Sequence, residues 1–70
     1  MSALAEEILS VLSRKGRIAI TDVPNSFTVT KETARLALDF LVKFGFVELD
    51  ENERYIRLSK PCEKFFAYVD

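Results

Sequence analysis

The sequence predicts a small α+β domain in which a helical core is followed by a β-hairpin. Three observations predict it. Apolar residues recur at helical spacing in two stretches, around positions 4–12 and 34–41. Each stretch runs into a glycine, Gly16 or Gly45, the residue that most readily takes the left-handed conformation after a helix. Two later segments, Phe46–Asp50 (FVELD) and Tyr55–Ser59 (YIRLS), alternate apolar and polar side chains across the polar link Glu51–Arg54.

In chain order, the first element is a helix with Leu4, Ile8, Val11 and Leu12 on one face. Ser2 suits its N-cap, and Glu6 and Glu7 lie near the positive end of its dipole. Arg14 and Lys15 suit the negative end. Residues Arg17–Thr21 (RIAIT) alternate as a very short strand with Ile18 and Ile20 on one side. Thr21 or Asp22 then caps a helical turn through Val23–Phe27, where Pro24 is tolerated in the first turn. Thr30 caps a longer helix whose buried stripe is Ala34, Ala37, Leu38 and Leu41, flanked by Val42 and Phe44. After the hairpin, Pro61 opens a short last helix, from Glu63 to Val69, rich in Phe and Tyr.

Composition narrows the function. A chain of 70 residues with no repeat or flexible linker is read as one domain, 1–70. One cysteine, Cys62, and no histidine exclude an intrachain disulfide, a histidine general base and a zinc site of the usual ligands. Cys62 is expected to be a small packed hydrophobe. No phosphate-binding glycine loop and no nucleophile–base pair is present, so an enzyme is not expected and no cofactor is assigned. No secretory signal or membrane span is read, and the lone thiol fits a reducing cytoplasm. Ten basic against eleven acidic residues give a net charge of −1, so contact with nucleic acid must come from a local patch.

The order helix, short strand, helical turn, longer helix, hairpin, final helix resembles the winged-helix family. The residues that carry the resemblance are TVTKETARLALDFLVKFGFVEL, over Thr28–Leu49, and ERYIRL after it. Leu38 and Leu41 stand as core positions of the second long helix, Gly45 as the turn, and Phe46 and Val47 as the start of the wing. The resemblance spans about residues 3–59. It implies a three-helix helix-turn-helix core with a β-hairpin wing and a short C-terminal helix. It also implies a DNA-binding regulator of transcription that reads double-stranded DNA with the helix at about 31–44. Terminal helices of such regulators often pair subunits, so a homodimer or a protein partner is expected.

In a recognition helix the N-terminal residues reach base edges, and flanking cations hold phosphates. The candidates are Thr30, Lys31, Thr33, Arg35 and Lys43, with a second basic group of Arg14, Lys15 and Arg17. Arg35 suits guanine or phosphate, and Lys31 and Lys43 suit phosphate. Two features depart from this pattern. The hairpin carries Glu48, Asp50, Glu51 and Glu53, which a phosphate backbone would repel. Leu36 and Phe40, one helical turn apart, fall roughly opposite Leu38 and form an apolar ridge on the outer face. That ridge, with Phe65, Phe66 and Tyr68 of the last segment, is a candidate protein-interaction surface. It supports an alternative function as a winged-helix adaptor of the transcription machinery, similar to TFIIE-like or RNA polymerase III-type subunits.

Overall fold

The computed structural model describes residues 3–62 and Lys64. The elements are α1 (Ala3–Lys15), β1 (Arg17–Ala19), a 3-10 turn (Ile20–Asp22), α2 (Val23–Ser26), α3 (Lys31–Lys43), β2 (Val47–Leu49) and β3 (Tyr55–Leu58). The three strands form one antiparallel sheet in the order β1-β3-β2. Lys60, Pro61, Cys62 and Lys64 are helical. The Ser2 cap and Glu63, Phe65, Phe66, Tyr68 and Val69 of the expected last helix lie outside the described residues.

One core joins all the elements. Ile8 and Leu12 of α1, Val23 of α2, Leu41 of α3 and Ile56 of β3 are its most deeply buried large side chains. Each removes apolar surface from water worth roughly 1.5–3 kcal/mol. The apolar face of α1 differs from the expected one. Ala5 and Leu9 are buried beside Ile8 and Leu12, whereas Leu4 and Val11 pack only at the margin. Both faces share Ile8 and Leu12, and packing against β3 and α3 selects between them. Cys62 also packs against the core, and burial pushes its thiol pKa up.

Both long helices stop as the glycines require. Gly16 (φ +89°) donates its N–H to Leu12 O at 2.9 Å after α1. At the end of α3, Phe46 N–H bonds Leu41 O and Gly45 N–H bonds Val42 O, the paired pattern of a Schellman motif, with Gly45 at φ +77°. The same pattern ends α2, where Val29 N–H bonds Pro24 O and Thr28 N–H bonds Asn25 O. There the left-handed residue is Thr28 at φ +55°, a β-branched residue in a conformation that crowds its Cβ. This strained turn joins α2 to α3.

The RIAIT strand is shorter than its alternation implies. It ends at Ala19, and Ile20–Asp22 coil into the 3-10 turn after Ile20 N–H bonds Arg54 O at 2.8 Å. Asp22 occupies the N-cap position of α2, yet its side chain makes no capping bond there. In the sheet, Ile18 pairs with Ile56 and Val47 with Leu58, which turns these apolar residues to the core. Ser59 closes the far end, its buried hydroxyl donating to Gly45 O at 2.6 Å.

Candidate nucleic-acid interface

Helix α3 is positioned by its cap and its buried stripe. Thr30 Oγ1 accepts the Thr33 N–H at 3.1 Å, and the two threonine hydroxyls lie 3.0 Å apart. Ala34, Leu38 and Leu41 are buried, and Ala37 is partly so. The remaining circumference carries Lys31, Glu32, Arg35, Asp39 and Lys43 into solvent. Among the described residues these three cations have no ion-pair partner. The only salt bridge among the described residues joins Arg57 to Glu48. Val42 and Phe44, expected to flank the buried stripe, are instead 39% and 61% exposed.

The fold separates the predicted site residues into three groups. Lys31, Arg35 and Lys43 border a groove of about 840 Å³ between α3, the 3-10 turn and β2. Its apolar wall includes Ile20, Pro24, Leu38, Val42 and Leu49, and Asp39 is the one acidic residue among the described residues that line it. Arg14, Lys15 and Arg17 border a second, smaller cleft between the end of α1, β1 and Tyr55. Thr30 and Thr33 line a shallow depression at the α2–α3 turn together with the strained Thr28. The two basic groups therefore line different clefts, and the exposed Thr30 caps α3.

Leu36 and Phe40 do not share one exposed ridge. Leu36 is 61% exposed, while Phe40 is half-buried against the core. The Phe40 ring lies 4.8 Å from that of Phe44 and 6.4 Å from that of Phe46, centroid to centroid. Helical spacing alone puts Phe40 opposite Leu38, but the Phe46 ring that follows Gly45 lies beside it. Phe65, Phe66 and Tyr68, the rest of the candidate interaction surface, lie outside the described residues.

The acidic wing is also rearranged by its contacts. Glu48 stands opposite Arg57 across the β2–β3 pair, with Arg57 Nε 3.4 Å from Glu48 Oε1. Arg57 in turn stands opposite Arg17 of β1. Two like charges in register oppose sheet pairing. Here Glu48 offsets one of them, and the Arg17 guanidinium stacks 4.4 Å over the Tyr55 ring. Asp50 is bound inward to the hairpin backbone: Oδ1 accepts from Arg54 N–H at 2.7 Å and Tyr55 N–H at 3.2 Å. Desolvation, the largest single influence, raises its pKa, but the backbone bonds from Tyr55 and Arg54 and the charges of Arg17 and Arg54 together outweigh it and hold the carboxyl below its ordinary value. Glu51 and Glu53 remain exposed at the tip. Sequence reading missed the roles of Asp50 and Tyr55. The spacing of Asp50 ahead of Arg54 and Tyr55, with an acid at the start of a polar link, was the available signal.

A helix-turn-helix whose second helix is followed by a two-stranded antiparallel hairpin defines the winged-helix fold. Among solved structures the chain is similar to the adhesin competence repressor (AdcR) of Streptococcus pyogenes, with a TM-score of 0.69 and 22% identity. The match covers 99% of this chain and 57% of that one, so the chain spans little more than half the length of the repressor. At this identity the likeness establishes the fold. No protein-family model matches the chain, and no curated protein matches it. The adaptor reading gains no support from the comparisons. Among the described residues, no helix is long and apolar enough to cross a membrane.

Proposed function

We propose that this domain is the DNA-binding module of a cytoplasmic transcription regulator and that α3 is its reader. The observation that carries this reading is a set of cations on one exposed, well-capped helix that are unpaired among the described residues. Lys31, Arg35 and Lys43 project from α3, and no acid among the described residues is bound to them. Arg35 is the base-reading candidate, and Lys31 and Lys43 hold phosphates on either side of it. The bound states of Glu48 and Asp50 support the reading, since they reduce the charge the wing turns toward DNA. The likeness to a protein named as a repressor supports it further. Homodimerisation belongs to the same proposal. Leu36 and Phe44, both 61% exposed, supply apolar surface on α3 away from the groove.

Fluorescence anisotropy of labelled duplex DNA at two salt concentrations tests the reading. Binding that weakens as salt rises is expected, because phosphate contacts release counterions. An absence of salt-dependent binding up to high micromolar protein would sink it.

A further inference from the structure

Among the described residues, the outer edge of β1 pairs with no strand, since the strand order is β1-β3-β2. The antiparallel register decides which backbone groups that edge presents. Ile20 N–H bonds Arg54 O, and Ile18 stands opposite Ile56. Bonded pairs alternate along such a ladder, so Ile18 faces β3 while Arg17 and Ala19 turn their backbone groups away from it. The Ala19 carbonyl opens the 3-10 turn. The Arg17 N–H, the Arg17 carbonyl and the Ala19 N–H are left for a partner. This edge borders the cleft of about 400 Å³ between the end of α1, β1 and Tyr55, which the half-buried Val11 and Phe27 also line. Arg14, Lys15 and Arg17 line it too, all exposed, against one acid, Asp22, among the described residues there. None of the three cations joins a salt bridge among the described residues.

We propose that the outer edge of β1 docks an extended acidic peptide of a partner protein, which adds to the sheet as a fourth strand. An edge strand is a template for such addition: the main-chain bonds hold the peptide, and alternate side chains select it. A residue opposite Arg17 shares the outer face of the sheet with it, where an acidic side chain meets the guanidinium stacked over Tyr55. Its neighbours in the added strand turn to the other face, where Val11 and Phe27 offer apolar surface. The matching peptide therefore alternates acidic and apolar residues. A basic strand is repelled by Arg14, Lys15 and Arg17. A nucleic-acid phosphate fits the cations, but it only accepts hydrogen bonds and leaves the Arg17 carbonyl without a donor. The inference rests on this edge alone and is independent of the reading of α3.

The test uses the whole chain and a fluorescein-labelled, end-blocked peptide of alternating valine and glutamate, followed by fluorescence anisotropy. Saturable binding is expected, weakened about tenfold or more when alternate peptide amides are N-methylated, because the lost backbone bonds are not replaced. The counterpart with lysine in place of glutamate should not bind. Amide exchange of Arg17 and Ala19 should slow when the acidic peptide is present. Ala19→Pro blocks the edge without breaking the sheet. Ala19 already has φ −67°, the angle a proline ring imposes, and the N–H that the substitution removes lies outside the β1–β3 ladder. This variant should lose peptide binding with its far-UV circular dichroism unchanged. The double variant Arg14→Glu, Lys15→Glu should also weaken the acidic peptide, so the test survives a misfolded Ala19 variant. The proposal is overturned by the absence of saturable binding up to high micromolar protein, by equal binding of the N-methylated peptide, or by full binding in folded Ala19→Pro. A double variant that loses affinity for duplex DNA and keeps it for the peptide marks the cleft as a nucleic-acid contact and also overturns the proposal.

Discussion

Asp50 Oδ1 accepts the backbone N–H of Arg54 at 2.7 Å, so a residue that reads in the sequence as one of a cluster of repelling acids is the clamp of the wing turn. The same oxygen holds Tyr55 N–H at 3.2 Å, and Asp50 N–H bonds Tyr55 O at 3.1 Å. Glu53, at φ +56°, completes the turn by bonding Asp50 O. Tyr55 carries the ring on which Arg17 stacks, so order in this turn extends to the outer face of the sheet.

This clamp makes wing order depend on pH. The folded carboxyl has a depressed pKa, so its stabilisation is complete above the ordinary carboxylate value and is lost as pH falls through the folded one. Amide hydrogen exchange at Arg54 and Tyr55 is expected to accelerate in acid beyond the intrinsic trend. Asp50→Ala should show fast exchange at both amides at neutral pH, while the amides of α3 stay protected. Unchanged protection in the variant would show that the turn holds without the carboxylate.

The two Schellman turns predict opposite responses to glycine. Gly45 is at φ +77° with open space where a Cβ would go, so Gly45→Ala carries only the conformational penalty, about 1 kcal/mol. Thr28, at φ +55°, is the wrong residue type for its conformation. Thr28→Gly should therefore stabilise the domain, by about 1 kcal/mol once the added freedom of the unfolded chain is subtracted. Urea denaturation of both variants checks this, and a stabilised Gly45→Ala or a destabilised Thr28→Gly would contradict it.

Thr30 separates stability from recognition. Its hydroxyl accepts Thr33 N–H, so Thr30→Ala should lower stability by about 1 kcal/mol. Under conditions where the variant is folded, its duplex binding should keep the wild-type salt dependence. A lost salt dependence would show that Thr30 contributes to DNA contact as well as to the cap.

Much of the fold is legible in the sequence, for identifiable reasons. Thr30, Gly16 and Gly45 each mark a helix end whose hydrogen bonds are local, and the observed bonds are the ones those residue types imply. The hairpin is legible because alternation and a polar link suffice. Elements that depend on distant partners are less so. The choice between the Leu4–Val11 and Ala5–Leu9 flanks of α1 is made by packing, since both are compatible with the spacing of Ile8 and Leu12. The strand at Arg17 ends where its pairing with β3 ends, which its own alternation does not encode. The same distinction applies to the candidate site. The basic residue types are visible in the sequence. Their division between the α3 groove and the α1–β1 cleft depends on how those elements are laid together. The surroundings of Phe40 are not legible from helical spacing, because Phe46, whose ring lies beside it, stands beyond the helix.

The central claim is that α3 meets DNA through Lys31, Arg35 and Lys43. It is tested most directly by the salt dependence of duplex binding for the chain and its three single alanine variants. Each substitution that removes a phosphate contact should flatten the plot of log K against log salt by about 0.9. Substitution of Arg35 should also relax preference at one base position if it reads guanine. Slopes unchanged in all three variants, with binding intact, would contradict the account and move the interface off α3.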